Sequence, residues 1–398
     1  MNESLLSKLK RIKLSDIGHF FLFLFALLPA TIYRRRRPHL WLLCEYDMEA
    51  QDNGYALFKY LRKSQPQVDA VYAISDRSPV RDVVSAVGPT VSYGSFRHWI
   101  YYLAAEVNIS SQKGGKPNAA VCYLFEVVLG WLKNRRVFLQ HGVIKDDLPF
   151  LHYDKAKFSI FSCSALPEYT FVRDTFGYPD GIVQYLGLCR FDDLHDAVPD
   201  PKLVLILPTW RMWLQRECKS VEEFQQSDYY RSWNALLNSK ELDSILCKYD
   251  MHAVYCTHRN MSRFETGFST GSKHISVCKW DELSIPELLK QASVLITDFS
   301  SVYMDFAYMQ KPMVYYQFDI DTFRKGHLPT GYFDYHDDGF GPIGNTVPEV
   351  CSYLEQILQN GCQMDDTYKT RVKNFFTICD TKNSERTYLA VKEMIEKS

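Results

Sequence analysis

Short apolar runs alternate with longer amphipathic stretches from residue 40 to the C-terminus, and this alternation limits the possible folds more than any other feature. Such runs predict buried parallel strands, and the stretches between them predict the connecting helices. The predicted strands of the first half are residues 40–45, 70–74, 106–110, 137–140 and 158–162. Those of the second half are residues 203–207, 253–256, 274–277, 294–297 and 313–316. We therefore expect an α/β protein with two doubly wound, Rossmann-like domains.

The domain limits follow from a polar, proline-marked stretch near residues 195–202, which separates the two series of strands. We expect a basic, apolar segment at 1–39, an N-terminal α/β domain at 40–198 and a C-terminal α/β domain at 199–398. Helical periodicity is found in residues 221–247, 285–292, 302–309, 346–359 and 365–396, the last being a candidate to cross back onto the N-terminal domain. Ligands of such sheets bind at the carboxyl ends of the strands, so functional residues are expected directly after strands, at a cleft that both domains face.

The first 40 residues hold eight cations and two carboxylates, although the whole chain of 398 residues has a net charge of −1. Charge concentrated at one terminus argues against nucleic acid as a partner and favours an anionic membrane surface. Residues 17–33 form an apolar run with cations on both sides, and it is shorter than the roughly 20 residues of a typical membrane span. We expect peripheral or monotopic attachment at the cytoplasmic face of the cell membrane. A single span, a helix packed on the protein body and a signal peptide are the alternatives, the last disfavoured because no small-residue cleavage site follows.

The eleven cysteines are scattered through apolar runs and form no C-x-x-C pair. This distribution is typical of small core residues in a reducing compartment, and no clustered ligands suggest a zinc site. We expect no metal and no cofactor.

Polar side chains follow two of the predicted strands in the second half. Asp298-Phe299-Ser300-Ser301 leads directly from a strand into a helix, where backbone N–H groups and hydroxyls can bind phosphate. Thr257-His258-Arg259 ends another strand with two groups that can donate to a diphosphate. The alternatives are two serines that only cap a helix and a histidine satisfied by nearby backbone. Convergence of neighbouring strand ends favours the functional interpretation.

Three further motifs are candidates for a site. His141, in Gln140-His141-Gly142, follows a strand of the first half, and its imidazole can act as a general base on a hydroxyl. Arg211 follows the strand at 203–207, and the segment 187–192 contains Arg190 just before the linker. Alone, each is a weak signal.

Taken together, these motifs resemble the CDP-glycerol glycerophosphotransferases of teichoic acid and capsule synthesis. The resemblance covers roughly residues 137–390 and is strongest at 283–288, 296–305, 311–319 and 331–335. It implies a two-domain GT-B fold in which the C-terminal domain holds the CDP-polyol donor and the N-terminal domain holds the acceptor. It departs from the family at Phe299, where tyrosine is usual, and at Cys189, where proline is usual.

The resemblance also assigns roles to individual residues. His141 and His258 correspond to the two family histidines and are the predicted catalytic residues. The residues predicted to bind the donor are Arg211, Arg259, Ser300, Ser301, Asp305 and Arg386.

The implied reaction is transfer of a polyol phosphate, with glycerol phosphate favoured over ribitol phosphate, to a hydroxyl of a lipid-linked glycan with release of CMP. Asp319 and Asp321 imitate a metal-binding Asp-x-Asp pair, but Asp319 lies at a strand end within the resemblance. The alternatives are a GT-B glycosyltransferase that uses a nucleotide sugar and a non-catalytic, membrane-bound binding protein. The acceptor, the choice between single addition and polymerisation, and the oligomeric state stay open.

Overall fold

The computed structural model describes residues 13–280, 282–326 and 329–397. They form two compact units. The first unit contains residues up to 141, residues 149–192 and the residues from 380 onward, and the second contains 142–148 and 193–379. The domain limits expected from the sequence remain a proposal about which segments fold independently.

The first unit is built on a seven-stranded parallel sheet of order β3-β2-β1-β4-β5-β6-β7. Its strands are β1 (Leu40–Cys44), β2 (Asp69–Ile74), β3 (Thr90–Ser92), β4 (Val107–Ser110), β5 (Arg135–Phe138), β6 (Ile160–Cys163) and β7 (Val183–Tyr185). The strand order reverses between β1 and β4, which is where doubly wound sheets bind ligands.

Helices cover this sheet. They are α1 (Leu14–Arg36), α2 (Asn53–Ser64), α3 (Arg81–Val87), α4 (Phe96–Ala104), α5 (Ala119–Tyr123), α6 (Tyr153–Ala156) and α7 (Leu166–Thr175). A π-helical turn, Leu124–Val128, continues α5, and 3-10 turns occupy Pro149–Leu151 and Cys189–Leu194. The core on one side of the sheet joins strand residues such as Leu43 and Tyr72 to Leu57 and Phe58 of α2.

The second unit repeats the same plan with a six-stranded parallel sheet of order β10-β9-β8-β11-β12-β13. Its strands are β8 (Leu203–Leu207), β9 (His252–Cys256), β10 (Ile275–Cys278), β11 (Val294–Thr297), β12 (Met313–Tyr316) and β13 (Ile343–Gly344). Here the order reverses between β8 and β11. The Arg211 motif after β8 and the Ser300-Ser301 motif after β11 therefore emerge side by side.

The helices of the second unit are short, and their core is centred on the fully buried Trp233. They are α8 (Met212–Glu217), α9 (Val221–Gln225), α10 (Asp228–Leu237), α11 (Lys240–Lys248), α12 (Ile285–Gln291), α13 (Val302–Tyr308), α14 (Ile320–Gly326), α15 (Val347–Gln359) and α16 (Asp366–Phe375). A 3-10 segment, Arg259–Gly267, follows β9. The closing helix α17 (Asn383–Glu396) belongs to the first unit, where Tyr388 and Val391 enter the core.

Helix α1 packs on the first unit along one face and leaves the other face exposed. Phe23, Ala26 and Ala30, spaced one helical turn apart, are buried, and the ring of Phe23 stacks on Phe125 with centroids 4.2 Å apart. The exposed face carries large apolar side chains, namely Leu14, Ile17, Phe21, Leu24, Phe25, Leu27, Leu28 and Ile32. Among the described residues, α1 is the single helix long and apolar enough to cross a membrane.

All ten predicted strands are present, with limits shifted by up to two residues, but two helical predictions need correction. The stretch 221–247 is three helices rather than one, because Ser227 and Ser239 accept bonds from backbone N–H groups and start new helices. The stretch 365–396 is two helices, which belong to different units. The strands β3, β7 and β13 were not predicted, since runs of two or three residues give no periodic signal.

Candidate active site

His141 and Asp52 form a hydrogen-bonded pair in the first unit. His141 lies in the loop after β5, and Asp52 is the N-cap of α2, in the connection after β1. The two side chains meet at 2.6 Å between Nδ1 and Oδ2. Because a carboxylate accepts, Nδ1 carries the proton, and Nε2 is the acceptor nitrogen of an imidazole whose side chain is 69% exposed. The pair has the geometry of a histidine base oriented by a carboxylate.

Electrostatics strengthens His141 as a base. Desolvation lowers the pKa of His141, but the hydrogen bond to Asp52 and the charge of that carboxylate outweigh it, so the pKa lies above its ordinary value. Arg190 holds Asp52 in place from the other side, with its NH1 2.8 Å from Oδ1. The same NH1 donates to the main-chain oxygen of His141 at 2.7 Å, so one guanidinium positions both partners.

The backbone before His141 adopts an unusual conformation. Gln140 is buried and has a φ of 64°, in the left-handed region that non-glycine residues rarely occupy. Two contacts stabilise this conformation: its side-chain amide donates to the carbonyl of Ser162 at 2.5 Å, and its own carbonyl accepts from Asn53 at 2.8 Å. Backbone held in this way is typical of functional loops, and here it fixes where the imidazole emerges.

The loop between β1 and α2 is anchored by Glu45, which is 2% exposed. Its carboxylate accepts backbone N–H groups from Gln51, Asp52 and Tyr55. Burial and the charge of Asp52 raise the pKa of Glu45 to about 8. Glu45 therefore fixes the loop that carries Asp52.

Arg211 is enclosed in the second unit rather than open to a ligand. Its side chain is fully buried after β8 and lies 2.8 Å from both Asp298 and Asp319. The predicted direct contact of Arg211 with the donor does not fit this environment, because both carboxylates already neutralise the guanidinium. Instead, Arg211 ties together the ends of three strands, β8, β11 and β12.

The serine motif begins α13. Ser301 is the N-cap and is exposed, and its side chain makes no capping hydrogen bond, whereas Ser300 is buried. Asp298 accepts backbone N–H groups from Thr209 at 2.7 Å and Phe299 at 2.6 Å, which shapes the turn. Asp305 is buried within α13.

His258 and Arg259 follow β9. Nδ1 of His258 accepts the N–H of Asn260 at 3.1 Å, so the neutral imidazole carries its proton on Nε2 and can donate to an anion. The His258 ring stacks on Trp210, with centroids 6.2 Å apart, and the exposed Arg259 lies over Trp280. Backbone capping, the alternative weighed for His258, therefore occurs at Nδ1.

Two threonines that the sequence analysis did not select lie at the same strand ends. The hydroxyls of Thr209 and Thr257 are buried and have no hydrogen-bond partner among the described residues. An unsatisfied buried hydroxyl is costly, and these two lie at the strand ends where ligands of such sheets bind. Both threonines stood within motifs already singled out, beside Arg211 and His258.

Arg386 belongs to the first unit, whereas Ser300, Ser301, Arg259 and His258 belong to the second. Its guanidinium binds Asp380 at 2.7 Å and the carbonyl of Leu186 at 3.0 Å. Next to it, Gly187 has a φ of 83°, and a β-carbon there would lie 1.8 Å from the side-chain oxygen of Asn383, so only glycine fits. The structure thus gives Arg386 a part in closing α17 onto the segment 187–192.

No group of three or more His, Cys, Asp or Glu side chains able to hold a metal ion is found among the residues that the structure describes. Of Asp319 and Asp321, which resemble a metal-binding Asp-x-Asp pair, Asp319 forms an ion pair with Arg211.

The chain matches the family model of the CDP-glycerol:poly(glycerophosphate) glycerophosphotransferases over residues 190–393. It is 30% identical over 380 residues to the minor teichoic acid biosynthesis protein GgaB of Bacillus subtilis (strain 168), covering 92% of this chain and 40% of that protein. It is 28% identical over 163 residues to the teichoic acid poly(glycerol phosphate) polymerase of the same strain, covering 40% of this chain and 19% of that protein. The chain therefore spans less than half the length of these curated relatives.

Solved structures give the same fold. The wall teichoic acid polymerase TagF aligns with 96% of this chain and 99% of its own, with a TM-score of 0.68 and 16% sequence identity. A UDP-N-acetylglucosamine 2-epimerase aligns with 90% of this chain and 95% of its own, with a TM-score of 0.52 and 12% identity. These likenesses confirm the predicted GT-B-like fold with two doubly wound α/β units.

Proposed function

This chain belongs to the CDP-glycerol:poly(glycerophosphate) glycerophosphotransferase family, and from that membership we propose that it transfers a polyol phosphate from a CDP-polyol to a hydroxyl of a teichoic acid or related glycan. Glycerol phosphate is the favoured group, and ribitol phosphate is the alternative. The acceptor is a lipid-linked glycan, and CMP is the second product.

The observation that carries this proposal is the pair formed by His141 and Asp52. A hydroxyl becomes a nucleophile when a base removes its proton as it attacks. Asp52 fixes the tautomer of His141 and stabilises the imidazolium that forms, and the 69% exposure of the side chain lets an acceptor approach Nε2. The site is built for proton removal from a hydroxyl.

In the proposed step, the acceptor oxygen attacks the β-phosphorus of the CDP-polyol while its proton passes to Nε2 of His141. The bond between the β-phosphorus and the bridging oxygen breaks, and CMP leaves with that oxygen. Negative charge builds up on the diphosphate, so fixed donors that face it accelerate the reaction.

We assign the donor to the strand ends of the second unit. His258 donates from Nε2, Ser301 from its hydroxyl, and Thr209 and Thr257 from hydroxyls that have no partner among the described residues. Arg259 adds positive charge, and Ser300 and Asp305 support the turn and helix that present Ser301. Arg211 and Arg386 act as positioning residues, the first at these strand ends and the second in the first unit.

We further propose that the protein attaches to the cytoplasmic face of the cell membrane through α1. The exposed face of α1 supplies apolar side chains, and Arg34, Arg35 and Arg36 lie in its last turn. Apolar side chains enter the acyl region while cations meet anionic headgroups, which favours a helix lying in one leaflet.

The test is a donor screen with the purified full chain. CDP-glycerol, CDP-ribitol and UDP-sugars are each supplied with teichoic acid acceptors in membranes, and nucleotide release and product mass are measured. We expect CMP from a CDP-polyol, and a rate about 10²–10⁴ lower for His141→Ala. Turnover of a UDP-sugar but of neither CDP-polyol would instead identify a glycosyltransferase, and no turnover of any donor would favour a binding protein.

A further inference from the structure

A cavity of about 430 Å³ lies in the first unit, away from His141 and lined by four cations. Its lining comes from the segment before α5, from α5 and its π-helical turn, from β5 and from α6. The cations are Lys113, Lys116, Arg136 and Lys155. The size suits a ligand larger than a single ion.

Among the described residues, two carboxylates oppose these four cations in the ion pairs of the cavity wall. Glu126 binds Lys116 at 2.7 Å and Arg136 at 2.8 Å, and Asp154 binds Lys155. Lys113 donates to a neutral acceptor, the carbonyl of Phe150, at 2.5 Å. The wall therefore has a net positive charge and would be stabilised by an anion.

Arg136 is a fixed cation in this wall. Its side chain is 8% exposed, and its NH1 and NH2 are bonded to Glu126 and to the main-chain oxygen of Lys157. The guanidinium is therefore held in place, and its charge adds to that of the lysines around the cavity. Burial and the nearby cations also lower the pKa of Lys113 to about 8, as expected where positive groups crowd together.

The same segment that lines the cavity also presents an apolar surface. Tyr123 and Val127 line the cavity, and the exposed side chains next to them are Leu124, Val128, Leu129 and Trp131. Phe125 of this segment stacks on Phe23 of α1, so the segment packs directly on the helix proposed to attach to the membrane. A molecule whose phosphate group is bound in the cavity would thus have an apolar protein surface nearby, on which its hydrocarbon part could pack.

We propose that this cavity binds the phosphate group of a membrane amphiphile, with Arg136 as a fixed positive charge and Lys113 and Lys155 as the donors that contact the phosphate. The amphiphile is either a phospholipid headgroup or the phosphate that links a glycan acceptor to its lipid. The proposal rests on the membrane attachment proposed above but not on the transfer reaction.

The test measures binding by calorimetry, using the full chain in a non-ionic detergent. The probes are decyl phosphate and inorganic phosphate, and the variants are Lys113→Gln and Lys155→Gln. Lys133→Gln is the matched control, because Lys133 is exposed near Trp131 but does not line the cavity. Arg136 is left intact because it is buried and ion-paired with Glu126, so its loss would perturb the fold.

We expect decyl phosphate to bind more tightly than inorganic phosphate, and each cavity variant to weaken decyl phosphate binding about tenfold or more, with no change for the control. Equal affinity for the two probes, or unchanged binding by both cavity variants, would overturn the proposal. Competition by phosphatidylglycerol added to the detergent micelles assigns the site to a headgroup, and its absence assigns the site to the lipid-linked acceptor. Flotation with phosphatidylcholine vesicles tests membrane attachment separately.

Discussion

Replacing Asp52 by Asn removes the charge that orients and stabilises His141 while it disturbs the fold as little as possible. Asn caps a helix about as well as Asp, so α2 keeps its N-cap, and the amide oxygen still fits opposite Nδ1. The variant loses the charge-assisted bond to the imidazolium that forms as the acceptor hydroxyl loses its proton.

The expected magnitude follows from that one bond. A hydrogen bond to a charged group contributes about 1.5–3 kcal/mol, and each 1.36 kcal/mol in a barrier is tenfold in rate, so kcat should fall roughly 10- to 150-fold. The full removal of the base, in His141→Ala, should cost about 10²–10⁴. Because both changes act through one proton transfer, the double variant should be no slower than His141→Ala alone.

The pH profile separates this role from a merely structural one. The rate rises with pH as His141 loses its proton, and Asp52 holds the pKa of His141 above its ordinary value. In Asp52→Asn this pKa falls, so the acidic limb of the kcat profile should move to lower pH. Asp47→Asn, an exposed carboxylate in the same loop, is the control and should leave the profile unchanged. Additive losses in the double variant, or an unmoved acidic limb, would refute the reasoning.

Three further outcomes are expected. Thr209→Val and Thr257→Val should each weaken binding of the CDP-polyol about 2- to 10-fold in calorimetry. The free energy of unfolding should stay unchanged or increase, because each hydroxyl has no partner among the described residues. A lower free energy of unfolding would mean that the hydroxyls stabilise the folded protein. The pKa of Glu45 is about 8 in the folded protein and has its ordinary value of about 4.5 in the unfolded chain, so the free energy of unfolding should fall as the pH rises from about 4.5 to 8. Glu45→Gln should flatten that fall in urea titrations at several pH values. An unaltered slope would show that Glu45 is already ionised in the folded protein. Phe25→Asp and Leu28→Asp, at positions 70% and 72% exposed, should each reduce vesicle binding about tenfold or more in flotation assays without unfolding the first unit, and full retention would place attachment elsewhere.

The sequence predicted the fold class because apolar strands ending in polar motifs carry a strong local signal. It also pointed to His141, His258 and the serine pair, since each directly follows a strand. It could not identify Asp52, which lies 89 residues from His141 in the chain. The pairing exists because β1 and β5 deliver their loops to the same end of one sheet.

Arg211 illustrates the opposite case, in which a local motif predicted a role that the tertiary structure changes. An arginine after a strand suggests an anion site, but nothing in the neighbouring residues reveals that Asp298 and Asp319 enclose it. Thr209 and Thr257 were overlooked because a missing hydrogen-bond partner becomes visible only in three dimensions.

The packing of α17 on the segment 187–192 has a consequence for how the protein folds while the ribosome synthesises it. Asp192 accepts backbone N–H groups from Asn383 and Ser384, yet Asn383 is synthesised 191 residues after Asp192. At about 5–20 residues per second, the nascent first unit must wait roughly 10–40 s for the helix that completes its core, while residues 193–379 of the second unit are translated in between. During that interval Trp41 lacks Tyr388, and the face of the sheet that α2 covers lacks the packing of α17. Proteolysis of stalled nascent chains would therefore find the N-terminal sheet vulnerable until the last residues emerge.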